Sequence, residues 1–384
     1  MTISTVNVAY RLSTEYDKHL PAYDYTFLSS INTCPTFGIL RYQMAKTMIE
    51  PGKRALALEL GGAMHEAFAA LRLVTLAKKQ KLRKHAEYHA ARLFGVENGA
   101  DIIRTIARES DFDQAAISTA LTAFTLSGYT DDERDKNRTC ANAQEALINY
   151  AHECEEWKQP VYVQDVKKPM SLVGIEIVFD IVISFILDTP TFRAFTAMAH
   201  VLPECIKRVQ HGRTRGYEIS IRYIGRIDGL HQHGDRLINH ENKTAGRLNE
   251  AWQESYAMSH QVTGYAVAAS LIAGQPINTS YVIGLQVPQR RTSFTNLVII
   301  HCHREQHNIA SWLQWVLHTL SIEWQYNNDP INAPKYTGSC NRYFRPCMFI
   351  PFCYGNDDER AAMIGEMATD RWSPLHEVSA TIDT

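Results

Sequence analysis

The chain has 384 residues, 39 Lys plus Arg against 41 Asp plus Glu, and a formal net charge of -2, which is long enough for one large domain with insertions or for two domains. Its 45% hydrophobic and 21% charged residues are those of a globular protein and exclude a disordered chain. The near-neutral balance also excludes binding of nucleic acid by bulk basicity, so any such contact has to come from a local patch.

Residues 1–20 lack the continuous apolar core of a signal peptide, and no run of 18 or more uncharged apolar residues occurs, which predicts a cytoplasmic protein with no membrane partner. In that compartment the eight cysteines are expected to be reduced, buried or metal-bound.

From Phe27 the text FLSSINTCPTFGILRYQMAK reads as a helix, with Ser29 or Ser30 able to cap it and Cys34-Pro35 near its first turns. A second helix is expected over 59–79, with Met64, Phe68, Leu71 and Val74 apolar and His65, Ala69 and Arg72 along one stripe. Residues 78–84, KKQKLRK, hold five basic side chains that suit either a phosphate backbone or a solvated helix end. Several helices then run to about Trp157, where Cys140 and Cys154 have no partner at metal-ligand spacing. Residues 160–185 turn β-rich, and Glu176 within GIEIVFDIVI is either a further acidic ligand or an outward-facing residue. The thirty residues of 187–216 are longer than most loops in compact domains and read as an insertion.

Residues 218–228, EISIRYIGRID, alternate apolar and polar side chains as a half-buried strand does. Gly229 and Gly234 bracket an expected turn, and 236–243 form a second strand, so an antiparallel hairpin follows. Side chains alternate across a strand, so Glu241 and Lys243 share a face and Asn242 points the other way. Asp228, Glu241 and Lys243 thus gather two carboxylates and an ammonium, a donor set suited to a hard divalent ion beside a phosphate. The same pattern is also that of a solvated cross-strand ion pair of little energetic weight.

Beyond the hairpin a helix is expected over 249–273, with Gln261 and Tyr265 four apart on one face. Two strands follow over 281–286 and 296–303, separated by the basic Gln289-Arg290-Arg291 and ending in His301 and His303, which read as surface histidines flanking Cys302. A last helix spans 306–326, with Trp312, Trp315, Val316 and Leu320 on its apolar side. The tail then crowds Cys340, Cys347 and Cys353 into fourteen residues. A tetrahedral or cubane metal site needs four thiolates, and Cys34 is the leading candidate for the fourth.

Taken together these residues resemble the PD-(D/E)xK nuclease superfamily, in its RecB-like branch that includes CRISPR-associated iron-sulfur exonucleases. The resemblance runs from about Phe27 to Gly355: Gly62-x-x-His65 is similar to the first motif, Asp228 within GRIDG to the second, Glu241-Asn242-Lys243 to ExK, and Gln261-x-x-x-Tyr265 to the helix motif after it. It implies an α/β fold with a restriction-endonuclease-like core, a central mixed sheet flanked by helices, and a cysteine-bound cluster joining the N- and C-terminal segments. A single nuclease domain over 27–355 is then expected, with a helical insertion at 80–160, a second insertion at 187–216, and terminal extensions at 1–26 and 356–384. The implied activity is metal-dependent hydrolysis of DNA, as an exonuclease working from ends in recombination, repair or phage DNA processing. His65, Asp228, Glu241 and the carbonyl of Asn242 would hold Mg²⁺ or Mn²⁺, with Lys243, Gln261 and Tyr265 completing the catalytic set. Cys34, Cys340, Cys347 and Cys353 would hold a 4Fe-4S cluster, with structural Zn²⁺ as the alternative because the Cys340-x6-Cys347-x5-Cys353 spacing departs from the family pattern. DNA is the implied partner, and relatives also work with a helicase or recombination partner or as homo-oligomers. The competing expectations are a catalytically silent DNA-binding or assembly subunit and a structure-specific endonuclease.

Overall fold

The computed structural model describes residues 7–48, 56–78, 82–133, 135–153, 170–197, 203–211, 214–287, 297–342 and 345–369. In chain order the strands are β1 (Asn7–Leu12), β2 (Ala22–Tyr23), β3 (Lys46–Thr47), β4 (Met170–Asp188), β5 (Ile206–His211), β6 (Thr214–His233), β7 (Arg236–Ala245), β8 (Thr279–Gln286), β9 (Leu297–His303), β10 (Asn341–Arg342), β11 (Arg345–Pro346) and β12 (Ala368–Thr369). The α-helices are α1 (Tyr25–Thr33), α2 (Pro35–Gly38), α3 (Leu56–Lys78), α4 (Arg83–Phe94), α5 (Val96–Arg108), α6 (Phe112–Leu126), α7 (Cys140–Glu153), α8 (Thr189–Thr196), α9 (Glu250–Ala257), α10 (His260–Ala273), α11 (Gln306–Gln325), α12 (Ile350–Tyr354) and α13 (Asp357–Glu366).

The architecture is α/β, with a large mixed sheet in the hydrogen-bonded order β1-β4-β6-β7-β8-β9 and with β2 and β5 also paired to β6. The residues sort into two compact units: unit 1 comprises Met1–Lys53, Val178–Gly225 and Gln306–Thr384, and unit 2 comprises Arg54–Ile177 and Arg226–Glu305. Both units are assembled from separated segments of chain. No helix among the described residues is long and apolar enough to cross a membrane.

In unit 2, β6 and β7 pair antiparallel from Gly229 opposite His240 to His233 opposite Arg236. Gly229 is therefore a ladder residue, and the turn is confined to Gly234 and Asp235. Gly234 takes φ +63, which a glycine adopts without Cβ strain and which a two-residue hairpin turn of matching twist requires. The next pairing, β7 with β8, is parallel, and β8 with β9 is antiparallel. Helices cover both faces of this ladder: Asn242 bonds Arg72 of α3 while its neighbour Glu241 bonds Gln261 of α10, and consecutive strand residues point to opposite faces. The apolar core lies under α3, where Met64, Phe68, Leu71 and Val74 pack with Phe124, Leu147, Tyr150, Ile283 and Leu285. The region expected as a helical insertion supplies α4 to α7, whose apolar faces bury Ala86, Ile103, Ala116 and Ala146 in the same core.

The helix expected over 249–273 is two helices, α9 and α10. Ser259 leaves the helical conformation with ψ 121, and its hydroxyl accepts from the Val262 N–H, so a local side-chain cap wins over continuation. In unit 1 the cap of α1 is Asp24, whose carboxylate accepts from the Phe27 N–H, and not Ser29 or Ser30, which lie inside the helix. Cys34 is extended, ending α1 and capping the start of α2, so the single expected helix is broken there by Pro35, which pushes its predecessor out of the helical region. The 187–216 segment folds as α8 followed by β5, which pairs antiparallel with the start of β6.

Unit 1 also holds the tail against the first helices. Thr36 Oγ1 donates to the Ala333 carbonyl at 3.0 Å, β3 pairs with β12, and Leu40 packs with Phe349, Phe352 and Met367.

Candidate functional site

The predicted residues of the hairpin and its flanking helices come together in unit 2. His65 of α3 places Nδ1 3.5 Å from Asp228 Oδ1. Asp228 Oδ2 accepts the backbone N–H of Asn242 at 2.7 Å, which ties β6 to β7 just beyond the Gly229–His240 ladder pair. Lys243 Nζ donates to Glu241 Oε1 at 2.6 Å, and the same oxygen accepts from Gln261 Nε2 at 2.8 Å. Tyr265, one turn along α10, is hydrogen-bonded to Gln261. Glu241 Oε2 is buried and has no hydrogen-bond partner among the described residues, a state that ordinarily costs about 1–3 kcal/mol.

The carboxylates lie deep and the cations outward: the side chains of Asp228 and Glu241 are 7% and 4% exposed, those of His65 and Lys243 29% and 21%. Burial alone would push both acids up. At Asp228 it is outweighed by His65, then Lys243 and the Asn242 N–H, and the carboxyl falls well below the usual range. At Glu241 burial and the Asp228 charge win over Lys243, and the carboxyl is raised. Burial opposes the charge on Lys243, but Glu241 and Asp228 raise its pKa, so the ammonium keeps its proton at any physiological pH. His65 is likewise raised, Asp228 outweighing burial. Tyr265 is raised by burial first and by Glu241 next, which keeps its hydroxyl neutral.

The side chain of Asn242, between the two charged residues, turns the other way and accepts from Arg72 Nη2 at 3.0 Å and from the Tyr150 hydroxyl at 3.4 Å. Neither contact was readable from motif spacing. Arg72 does fall seven residues after His65 on the same helical stripe, which is the signal that points to it.

The four predicted cysteines also converge, in unit 1. Cys34 is buried and Cys340, Cys347 and Cys353 are partly buried, all as free thiols. Cys347 N–H donates to the Cys340 carbonyl at 2.7 Å. Burial raises Cys347 and pushes Cys353 to about 11, and in both cases the other thiols, Cys34 among them, push the same way. Among the described residues no group of three or more His, Cys, Asp or Glu side chains is disposed to hold a metal ion as the side chains stand. In the hairpin site the carboxylates engage the chain's own Lys243 and His65 instead.

Other sequence candidates lie elsewhere. Glu176 is bound by Arg92 and Arg226 at 3.1 and 2.8 Å. His301 and His303 are exposed on β9, with Cys302 buried between them, as a surface strand requires. The basic residues at 79–81 and the pair Arg290 and Arg291 lie outside the described residues.

No protein-family profile matches the chain, and no curated protein matches it. Among solved structures, one described as "Crystal structure of SSO0001" is similar over 39% of this chain at 15% identity and a TM-score of 0.23. The chain spans 56% of that structure's own length.

Proposed function

We propose that the protein is a metal-dependent deoxyribonuclease with its centre at Asp228, Glu241 and Lys243. The observation that carries this reading is the buried Glu241 Oε2, left without a partner beside the charged Asp228. A buried carboxyl oxygen left unsatisfied next to a second carboxylate is costly to the fold, and a bound cation would offset that cost. The donor set fits Mg²⁺ or Mn²⁺, being hard oxygens plus one imidazole. His65, Asp228, Glu241 and the Asn242 carbonyl would hold the ion. When bound, such an ion polarises a phosphate and lowers the pKa of a coordinated water.

The chain's own groups supply the rest. Lys243, held protonated, acts as a fixed positive charge for the charge that builds on phosphorus, and not as a base. Gln261 orients Glu241 through Oε1, and Tyr265 holds Gln261 in turn. The Asn242 N–H fixes Asp228, while Arg72 and Tyr150 fix Asn242 from the opposite face. Attack of water on the phosphodiester would leave a 5'-phosphate and a 3'-hydroxyl, as the resemblance implies. Incubation of end-labelled linear and closed circular DNA with Mg²⁺ or Mn²⁺ tests this. Metal-dependent loss of the linear form alone supports an exonuclease and nicking of circles an endonuclease, whereas binding without turnover in either metal favours the silent subunit.

The four cysteines are the companion proposal. Four thiols grouped against α1 and α2 with no disulfide among them fit a soft metal or an iron-sulfur cluster, and such a group would stabilise unit 1 instead of taking part in hydrolysis. Anaerobically purified protein should be brown with broad visible absorbance, while colourless protein with stoichiometric zinc would assign the thiols to Zn²⁺.

A further inference from the structure

Glu176 is a buried carboxylate of unit 2 outside the Asp228–Glu241 constellation. Its backbone sits at φ +48, a left-handed conformation that costs a residue with a Cβ about 1–3 kcal/mol. The strain is accompanied by a specific contact: Oε2 takes Arg92 Nη2 of α4 at 3.1 Å and Arg226 Nε of β6 at 2.8 Å. Glu176 is 4% exposed while the two arginines are 28% and 31% exposed, so the carboxylate lies beneath and the guanidinia reach outward. The two guanidinia bring two positive charges to one shared carboxylate. The neighbouring His85 and His89, in contact through their Nε2 atoms at 3.2 Å, add none at neutral pH. Burial lowers both, and with His85, Arg92 and Arg226 it brings His89 down to about 3.

Arg226 is two residues before Asp228 on β6, so in an extended strand both side chains emerge on one side about 6.6 Å apart. That separation matches neighbouring phosphates along an extended nucleic-acid strand. A guanidinium is also the side chain best shaped for a phosphate. We propose that Arg92 and Arg226 form a phosphate-binding subsite that grips the DNA backbone next to the scissile bond, with Glu176 as the positioning residue for both. The proposal rests on the nuclease reading of Asp228, Glu241 and Lys243.

The test is the salt dependence of binding of a labelled single-stranded oligonucleotide, measured in EDTA so that no cleavage occurs. Each lost phosphate contact lowers the slope of log Kd against log salt by about 0.7. R92Q and R226Q should each show that loss and weaker binding, the double variant the sum, and R226K should recover the wild-type slope. A purely structural role would change melting temperature and leave the slope alone, so a folded R226Q with an unchanged slope overturns the subsite. Should the glutamine variants fail to fold, phenylglyoxal modification of wild-type protein decides: the oligonucleotide should slow modification of Arg92 and Arg226 several-fold, and equal rates with and without it overturn the proposal. Wild-type protein that cleaves DNA while these readouts fail refutes only the subsite; wild-type protein that neither binds nor cleaves refutes the nuclease reading beneath it.

Discussion

Two glutamates, one in each unit, are buried and raised, yet their surroundings differ. Glu323 of unit 1 reaches about 7 through burial, and both its oxygens are satisfied, Oε2 by the Tyr23 hydroxyl at 3.0 Å and Oε1 by Gln43 Nε2 at 2.7 Å. Trp324 Nε1 closes the group by donating to the Tyr23 oxygen at 2.8 Å. No charged partner is among the causes of its shift, and Glu323 knits α11 to the N-terminal segment through these hydrogen bonds. Glu241 stands between Asp228 and Lys243 with one oxygen unsatisfied. A raised carboxyl therefore does not by itself mark a functional site. What sets Glu241 apart is its orphaned oxygen and the second carboxylate beside it.

The largest break in this comparison is expected at the hairpin. Lys243→Ala should lower DNA cleavage by about 10³-fold, the order seen when a preorganised charge that stabilises a transition state is removed. Glu323→Gln should leave the cleavage rate unchanged, and equal losses in the two variants would erase the distinction.

The next effect concerns pH. The folded-state pKa of Glu323 lies at about 7, above the ordinary 4.5, so its stabilising contribution is complete below 4.5 and is lost as pH rises towards 7. Unfolding free energies followed across that window should fall by roughly 3 kcal/mol from this group. In Glu323→Gln that component of the slope should vanish, and an identical pH profile in the variant would show that the buried acid is not the titrating group.

A smaller effect separates positioning from ligation. Arg72→Lys retains charge but loses the guanidinium geometry that holds Asn242. Cleavage should slow by about 10-fold in kcat with KM little changed, as expected when an interaction that matters only in the transition state is loosened. A change confined to KM would make Arg72 a substrate contact instead. The smallest expected change is Asp24→Ala in unit 1, which removes the cap of α1 and should cost about 1 kcal/mol in denaturant unfolding without altering cleavage.

The sequence made the hairpin readable because alternation over EISIRYIGRID and the Gly234 turn are local signals, as are the four-residue spacing of Gln261 and Tyr265 and the aromatic stripe of α11. Gly229 misled as a turn residue because glycine is as compatible with a strand that another side chain approaches closely. A Cβ there would lie 3.4 Å from Arg72 Nε. The Tyr23, Gln43 and Glu323 group could not be anticipated, since its members are 280 and 300 residues apart and none carries a periodic or motif signature. Arg92 and Arg226 were invisible for the same reason, and the left-handed backbone at Glu176 has no local sequence cause. The convergence of Cys34 with the tail cysteines was legible only through composition, three thiols in fourteen residues that lacked a fourth.

The most direct measurement is the time course of cleavage of one labelled linear DNA, with Mg²⁺ or Mn²⁺, by wild-type protein, Asp228→Ala and Glu323→Gln side by side. Wild-type protein and Glu323→Gln should degrade the DNA at matching rates while Asp228→Ala leaves it intact. Cleavage by Asp228→Ala at the wild-type rate would contradict the assignment of the hairpin as the catalytic centre.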